Sequence, residues 1–332
     1  MSPPAPFTSS IGPVIARFVA LKQALGRRFD TQRYLLVLFD RFLADVHATD
    51  LTAESYSAWC SSIEHLMPSG RRMRMQIVRQ FCRYRRRSEP DCFVPDPSQF
   101  PPPQPRRLPH VFSENEIARL LDAADSLHRW GASPLYPQVV RLALVLLYTS
   151  GLRRGEVVRL TLGDYDSGEQ VLLVRDSKFH KSRMVPVSRD AAAEIDRYLA
   201  DRRQHGFPCG ADAPLLLHRH GSDLIAYSGN GLRVFMRRLF QTAGVRTTAG
   251  GVPRVHDLRF TFAFHALLRW YRIGVDVQAR LPALATYLGH VSILSTQYYL
   301  PILDVVAQEA SDKFERHCGR FLAAALDERG DQ

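Results

Sequence analysis

Lysine is scarce in this chain. Four of its 44 basic residues are lysines (Lys22, Lys178, Lys181, Lys313) and the other 40 are arginines. Arginine offers a planar fork that grips phosphate through two bonds, whereas lysine is a point charge. Cysteine is sparse too. Cys60, Cys82, Cys92, Cys209 and Cys318 are scattered and never form a CxxC pair. That argues against a zinc ribbon or disulfide scaffold and implies reduced thiols in the cytosol. No uninterrupted apolar run exceeds Leu142–Tyr148, far short of the roughly 20 residues of a membrane span. A basic-then-apolar leader is missing at the N-terminus, so neither secretion nor membrane association is expected.

What is present is a globular composition, 45% hydrophobic and 23% charged, over 332 residues. Such a chain buries a real core, in about two domains. Its net charge is +11, which points to a polyanionic partner. Residues 1–107 hold 16 basic and 9 acidic side chains, against 28 and 24 in 108–332. The sharpest break in composition is Pro90–Pro109, PDCFVPDPSQFPPPQPRRLP. Each proline removes a backbone donor and restricts its predecessor, so this stretch predicts a semi-extended linker. The expected division is a helical unit over 1–89, a linker over 90–109 and a second unit over 110–332.

In the first unit, Tyr34, Leu35, Phe39, Phe42 and Leu43 recur at helical spacing, and a second helix is expected to start at Thr52. The segment Ser69–Ser88, SGRRMRMQIVRQFCRYRRRS, projects Met73, Ile77, Phe81 and Tyr84 onto one face and Arg72, Arg79, Arg83 and Arg86 onto the other. An all-basic face repels itself unless a polyanion covers it, so these four arginines are candidate DNA contacts. The plainer alternative is a solvated amphipathic surface. In the second unit, Ser113 and Glu116 form a capping box for a helix over 114–124. A buried helix is expected over 136–149, and Val171–Arg175 with Arg183–Val187 read as a β-hairpin around the link SKFHKS. Further helices are expected near 229–243, 258–271, 281–288, 295–303 and 305–326. The fold class is mainly α with a small antiparallel sheet.

Five clusters in the second unit carry candidate chemistry. They are GLRRGE (Arg153, Glu156), the hairpin link (Lys178, Lys181), HDLR (His256, Arg259), LGH (His290) and the pair Tyr298–Tyr299. Each alone has a structural explanation: a surface ion pair, a helix cap, a core aromatic. Together they supply two guanidinium groups, an amine, two imidazoles and a phenol. No carboxylate cluster or metal-ligand spacing accompanies them, so no cofactor or metal is expected. Two arginines and a histidine suit the non-bridging oxygens of a phosphodiester and a pentacoordinate transition state. A phenol is an effective nucleophile once deprotonated, and a lysine can protonate the leaving oxygen. The chemistry that follows is metal-free transesterification of DNA through a phosphotyrosine.

The order of these motifs resembles the tyrosine recombinases and phage-type integrases over most of the chain. The stretches that carry the likeness are YTSGLRRGEVVRLTLGDY, DSKFHKSRMVPV, HDLRFTFAFHAL, LGH and STQYY. The resemblance implies that Arg153, Arg259 and His290 clamp the scissile phosphate, that His256 is a general acid/base and phosphate ligand, and that Glu156 supports Arg153. It selects Lys178 over Lys181 as the acid for the 5′ oxygen. It places the nucleophile nine residues beyond His290, at Tyr299, leaving Tyr298 to packing or DNA contact; helix neighbours point about 100° apart, so only one faces the phosphate. It also implies a C-shaped clamp on double-stranded DNA, built from a core-binding (SAM-like) domain and a catalytic domain. Four protomers would act on two sites, as a dimer per site, with a monomer as the expected free form, in the nucleoid of the cytoplasm. A mobile-element enzyme fits the 31 positions between Arg259 and His290, a longer interval than in compact bacterial members, with Pro282 expected to open a helix. The final helix, 305–326, is expected to dock on its own or a neighbouring protomer.

Three other readings compete. A type IB topoisomerase or telomere resolvase would use nearly the same set. A catalytically silent DNA-binding protein would show a decayed position, and none is decayed. A zinc hydrolase using His256, His265 and His290 lacks the usual ligand spacing.

Overall fold

A computed structural model describes residues 7–27, 29–104, 107–128, 133–175, 182–221 and 223–289. The chain divides into two compact units, 1–107 and 108–332.

The first unit is a helical bundle: α1 (Gly12–Ala24), α2 (Asp30–Asp45), α3 (Ala53–Ser62) and α4 (Pro68–Arg85). Thr52 caps α3 as expected, through a reciprocal bond with Ser55. Phe18, Phe39, Trp59 and Phe81 fill the core, with edge-on contacts of 5.9 Å for Phe18–Phe81 and 4.9 Å for Phe39–Trp59.

Helix α4 is rotated from its expected orientation. Its buried face is Met75, Ile77, Val78, Phe81, Cys82 and Arg85, while Met73 is exposed. The difference turns on Arg85. Its guanidinium bonds both oxygens of Asp50 and, at 2.6 Å, Glu89, so a charge that belongs to neither expected face is paired and turned inward. The proline-rich stretch also departs from a free spacer. Phe100 joins the first unit's core with Phe93 and Val94 beside it, and a 3₁₀ turn forms at Pro97–Gln99. Segment 92–101 lies along the arginine side of α4. Arg72 donates to the Pro101 carbonyl (2.5 Å), Arg79 to that of Pro95 (3.0 Å) and Arg86 to that of Cys92 (3.4 Å).

The second unit is built around α6 (Tyr136–Thr149), which is apolar almost all round and buried accordingly. Against it pack α5 (Glu114–Asp125), α8 (Arg189–Gln204) and α10 (Val255–Arg272), with α9 (Gly229–Thr242) completing the core. Ser113 and Glu116 close the expected capping box. The short α7 (Arg154–Val157) leads into an antiparallel sheet of β1 (Tyr165–Asp166), β2 (Val171–Val174) and β3 (Arg183–Pro186), in which Leu172 faces Val185. Helix α8 and a second hairpin, β4 (Leu217–His220) with β5 (Asp223–Ala226), were not anticipated. Helix α11 runs Val277–Leu288 and packs on α10. Asp276 caps it, so Pro282 lies inside the helix, not at its start as expected. The expected helices over 295–303 and 305–326 lie outside the described residues.

Candidate active site

The C-terminus of α6 delivers the first component. The helix stops at Gly151, whose φ is +55°, a left-handed conformation that favours glycine. A Cβ there would lie 2.6 Å from the Phe262 ring and 3.0 Å from Leu288. Gly151→Ala is therefore expected to destabilise the second unit by about 1–3 kcal/mol, measurable by urea unfolding.

The turn after Gly151 places Arg153 at the N-cap of α7. Its backbone N–H and Nη1 both donate to Glu156, at 2.9 and 2.8 Å. Its Nη2 donates to the Gly289 carbonyl at 2.7 Å. A quarter of the Arg153 side chain stays open to solvent, whereas that of Glu156 is 1% exposed. Burial opposes ionisation of Glu156, but hydrogen bonds from Arg183 and Arg153 outweigh it and hold the carboxyl at about 2.

Arg259 comes from the second turn of α10, one turn after His256. It is 1% exposed and donates to the carbonyls of Gly151 (2.6 Å) and Leu288 (2.7 Å). Arg153 and Arg259 thus hold successive carbonyls at the end of α11, where the helix dipole is negative and cations are favoured. His256 is partly open to solvent. Crowding by protein lowers its pKa, and the positive charges of Arg259, Arg153 and Arg254 lower it further, against an opposing effect of Asp257.

Four predicted residues meet here: Arg153, Glu156, His256 and Arg259. Lys178, His290 and Tyr299 lie outside the described residues, as do Lys181 and Tyr298. Arg72, Arg79, Arg83 and Arg86 belong to the first unit. Of these, Arg83 is exposed, and the other three donate to carbonyls of segment 92–101. His265 is half-buried beside Tyr148, at 3.5 Å, as an interior histidine would be. Tyr287 is unsuited to nucleophilic attack. Burial pushes its phenol up to about 12, and it donates to the Pro186 carbonyl at 3.0 Å.

One participant was missed in the sequence. Arg183, at the start of β3, donates to both Glu156 oxygens (3.1 and 2.9 Å) and, from Nε, to the Tyr287 carbonyl (2.8 Å). The available signal was Glu156 itself, since a buried carboxylate beside one partly exposed arginine calls for a second cation.

The pattern of the phage integrase family matches residues 110–304, which contain Arg153, Glu156, Arg183, His256 and Arg259. The chain belongs to the phage integrase family. A Sinorhizobium fredii protein designated integrase/recombinase y4rB is 34% identical over 311 residues, 93% of this chain and 98% of its own. Tyrosine recombinase XerA of Pyrococcus horikoshii is 28% identical over 215 residues, 64% of each chain. Among solved structures, the XerH site-specific recombinase bound to palindromic difH substrate, a post-cleavage complex, superposes with a TM-score of 0.61. That likeness is 17% identical and covers 92% of this chain and 85% of that one. The integrase is thus an enzyme of the tyrosine recombinase class by family, and its fold is that of the class.

Proposed function

We propose that this integrase cleaves and rejoins DNA at a specific site through a 3′-phosphotyrosyl intermediate, without a metal ion. The observation that carries the reading is the convergence of Arg153 and Arg259 at the end of α11, immediately before His290 in sequence, with His256 one helical turn before Arg259. Fixed guanidinium groups supply the positive charge that a pentacoordinate phosphorane needs. Arg153, Arg259 and His290 hold the non-bridging oxygens, with His256 as general acid/base and phosphate ligand. The Tyr299 oxygen attacks phosphorus, and the bond from phosphorus to the 5′ oxygen breaks. Lys178 delivers a proton to that oxygen. One phosphoester replaces another, so the step is reversible and needs no ATP.

The first unit, with residues 1–89 as its core-binding helices, contributes further contacts to duplex DNA. Arg83 and the remaining donors of Arg72, Arg79 and Arg86 face the phosphate backbone. A tetramer, two protomers on each of two sites, performs strand exchange in the nucleoid. The test uses a nicked duplex bearing the target site, in EDTA. Wild type is expected to yield a denaturation-resistant protein–DNA adduct and Tyr299→Phe none. An undiminished adduct from Tyr299→Phe, or no adduct from wild type, contradicts the reading.

A further inference from the structure

Arg183 is absorbed by neither the phosphate clamp nor the nucleophile, yet its side chain donates three hydrogen bonds in the site. Its two Nη groups meet the two oxygens of Glu156, and its Nε meets the Tyr287 carbonyl. Glu156 in turn receives Arg153 on the oxygen shared with Arg183 Nη1. One carboxylate therefore ties three elements together: strand β3, the turn at α7 and the last turn of α11. The Arg183 side chain is 11% exposed and that of Glu156 1%. The fit is close. Gly289 has φ +67°, and a Cβ there would lie 2.8 Å from Arg183 Nη1 and 3.0 Å from its Cζ. A glycine at this point lets the guanidinium lie flat under the end of the helix.

We propose that Arg183 is a positioning residue for strand cleavage: it holds Glu156 and the Tyr287 carbonyl together, and so sets both the direction of Arg153 and the end of α11. His290 follows that end in sequence, and Arg183 begins its strand directly after the link that carries Lys178 and Lys181. A lysine in its place would keep the charge without the fork that reaches three acceptors. The inference rests on the strand-cleavage reading above.

The groups facing Glu156 and Arg183 are Arg153 at the N-cap of α7 and the Tyr287 phenol on α11. Without Arg183, Glu156 keeps one cationic partner and its protonation moves toward neutral pH. Three variants test this: Arg183→Gln, Arg183→Lys and Gly289→Ala. Each is measured for affinity to the site duplex, for single-turnover adduct formation across pH 5–8, and for amide exchange over residues 281–289. Arg183→Gln is expected to bind DNA like wild type and to cleave about 100-fold more slowly. Its rate should also fall toward acid pH where the wild-type rate does not. Arg183→Lys should stay slow with a wild-type pH profile. Gly289→Ala, which keeps every charge, should be slow as well and covers the case in which Arg183→Gln does not fold. Wild-type rates and pH profiles in Arg183→Gln and Gly289→Ala would overturn the inference and leave the cleavage reading intact. If wild type itself forms no adduct, the cleavage reading fails. The positioning claim is then decided by exchange at 281–289, expected to be faster in Arg183→Gln and overturned if equal to wild type.

Discussion

Arg259→Ala is expected to lose strand cleavage by about 100- to 1,000-fold, the scale for one donor to a transition-state oxyanion. The same change is expected to destabilise the second unit. Arg259 is buried, and its guanidinium is a hydrogen-bond partner of the Gly151 and Leu288 carbonyls. Removing it leaves those acceptors in a dry environment, at about 1–3 kcal/mol for each group left without a partner. The two effects are separable. Arg259→Lys keeps the charge but reaches fewer acceptors, so it should recover part of the stability and little of the rate. Urea unfolding reads the first effect, and single-turnover adduct formation on a nicked duplex reads the second. A wild-type rate in Arg259→Ala would remove this residue from the clamp.

The second large effect is at Glu156. Glu156→Ala breaks a buried pair by removing the acid and leaving Arg183 without its counter-charge, a change that costs about 3–5 kcal/mol. The pH dependence gives a sharper test. The folded carboxyl sits at about 2 against an ordinary 4.5. A depressed carboxylate stabilises the fold above its unfolded value and loses that contribution as pH falls through its folded value. The contribution, roughly 3 kcal/mol at neutral pH, is therefore complete above about pH 5 and lost between there and pH 2. The stability gap between wild type and Glu156→Gln is expected to stay at its full width from pH 7 to about pH 5 and to shrink on further acidification. A gap that does not change with pH would show that the carboxylate charge is not what holds the site together.

The arginines explain how much of the molecule was legible in the sequence. Helix α5 was readable because Ser113 and Glu116 are local chemistry, and α6 because a solidly apolar segment has to be buried. The β2–β3 hairpin was readable from its two short apolar strands, and the site from the order of its motifs. The role of each arginine was not, because a guanidinium can go inside wherever distant carbonyls or carboxylates receive it. Arg85 turned α4 by pairing with Asp50, 35 positions away. Arg202 is fully buried and spends its donors on the carbonyls of Pro208, Pro214 and Leu215. Arg183 reaches an acid 27 positions earlier and a carbonyl 104 positions later. These acceptors are near only once the chain has folded. The excess of arginine over lysine therefore serves two ends: reach toward a polyanion, and internal scaffolding that a single ammonium could not make.

The central claim is that one named tyrosine becomes joined to DNA. Trypsin releases Leu281–Lys313 as one peptide, containing Tyr287, Tyr298 and Tyr299. Mass spectrometry of that peptide from the metal-free adduct, after nuclease trimming, locates the phosphonucleotide on a single side chain. It is expected on Tyr299, and a nucleotide on Tyr298, Tyr287 or any residue outside this peptide would contradict the proposed nucleophile.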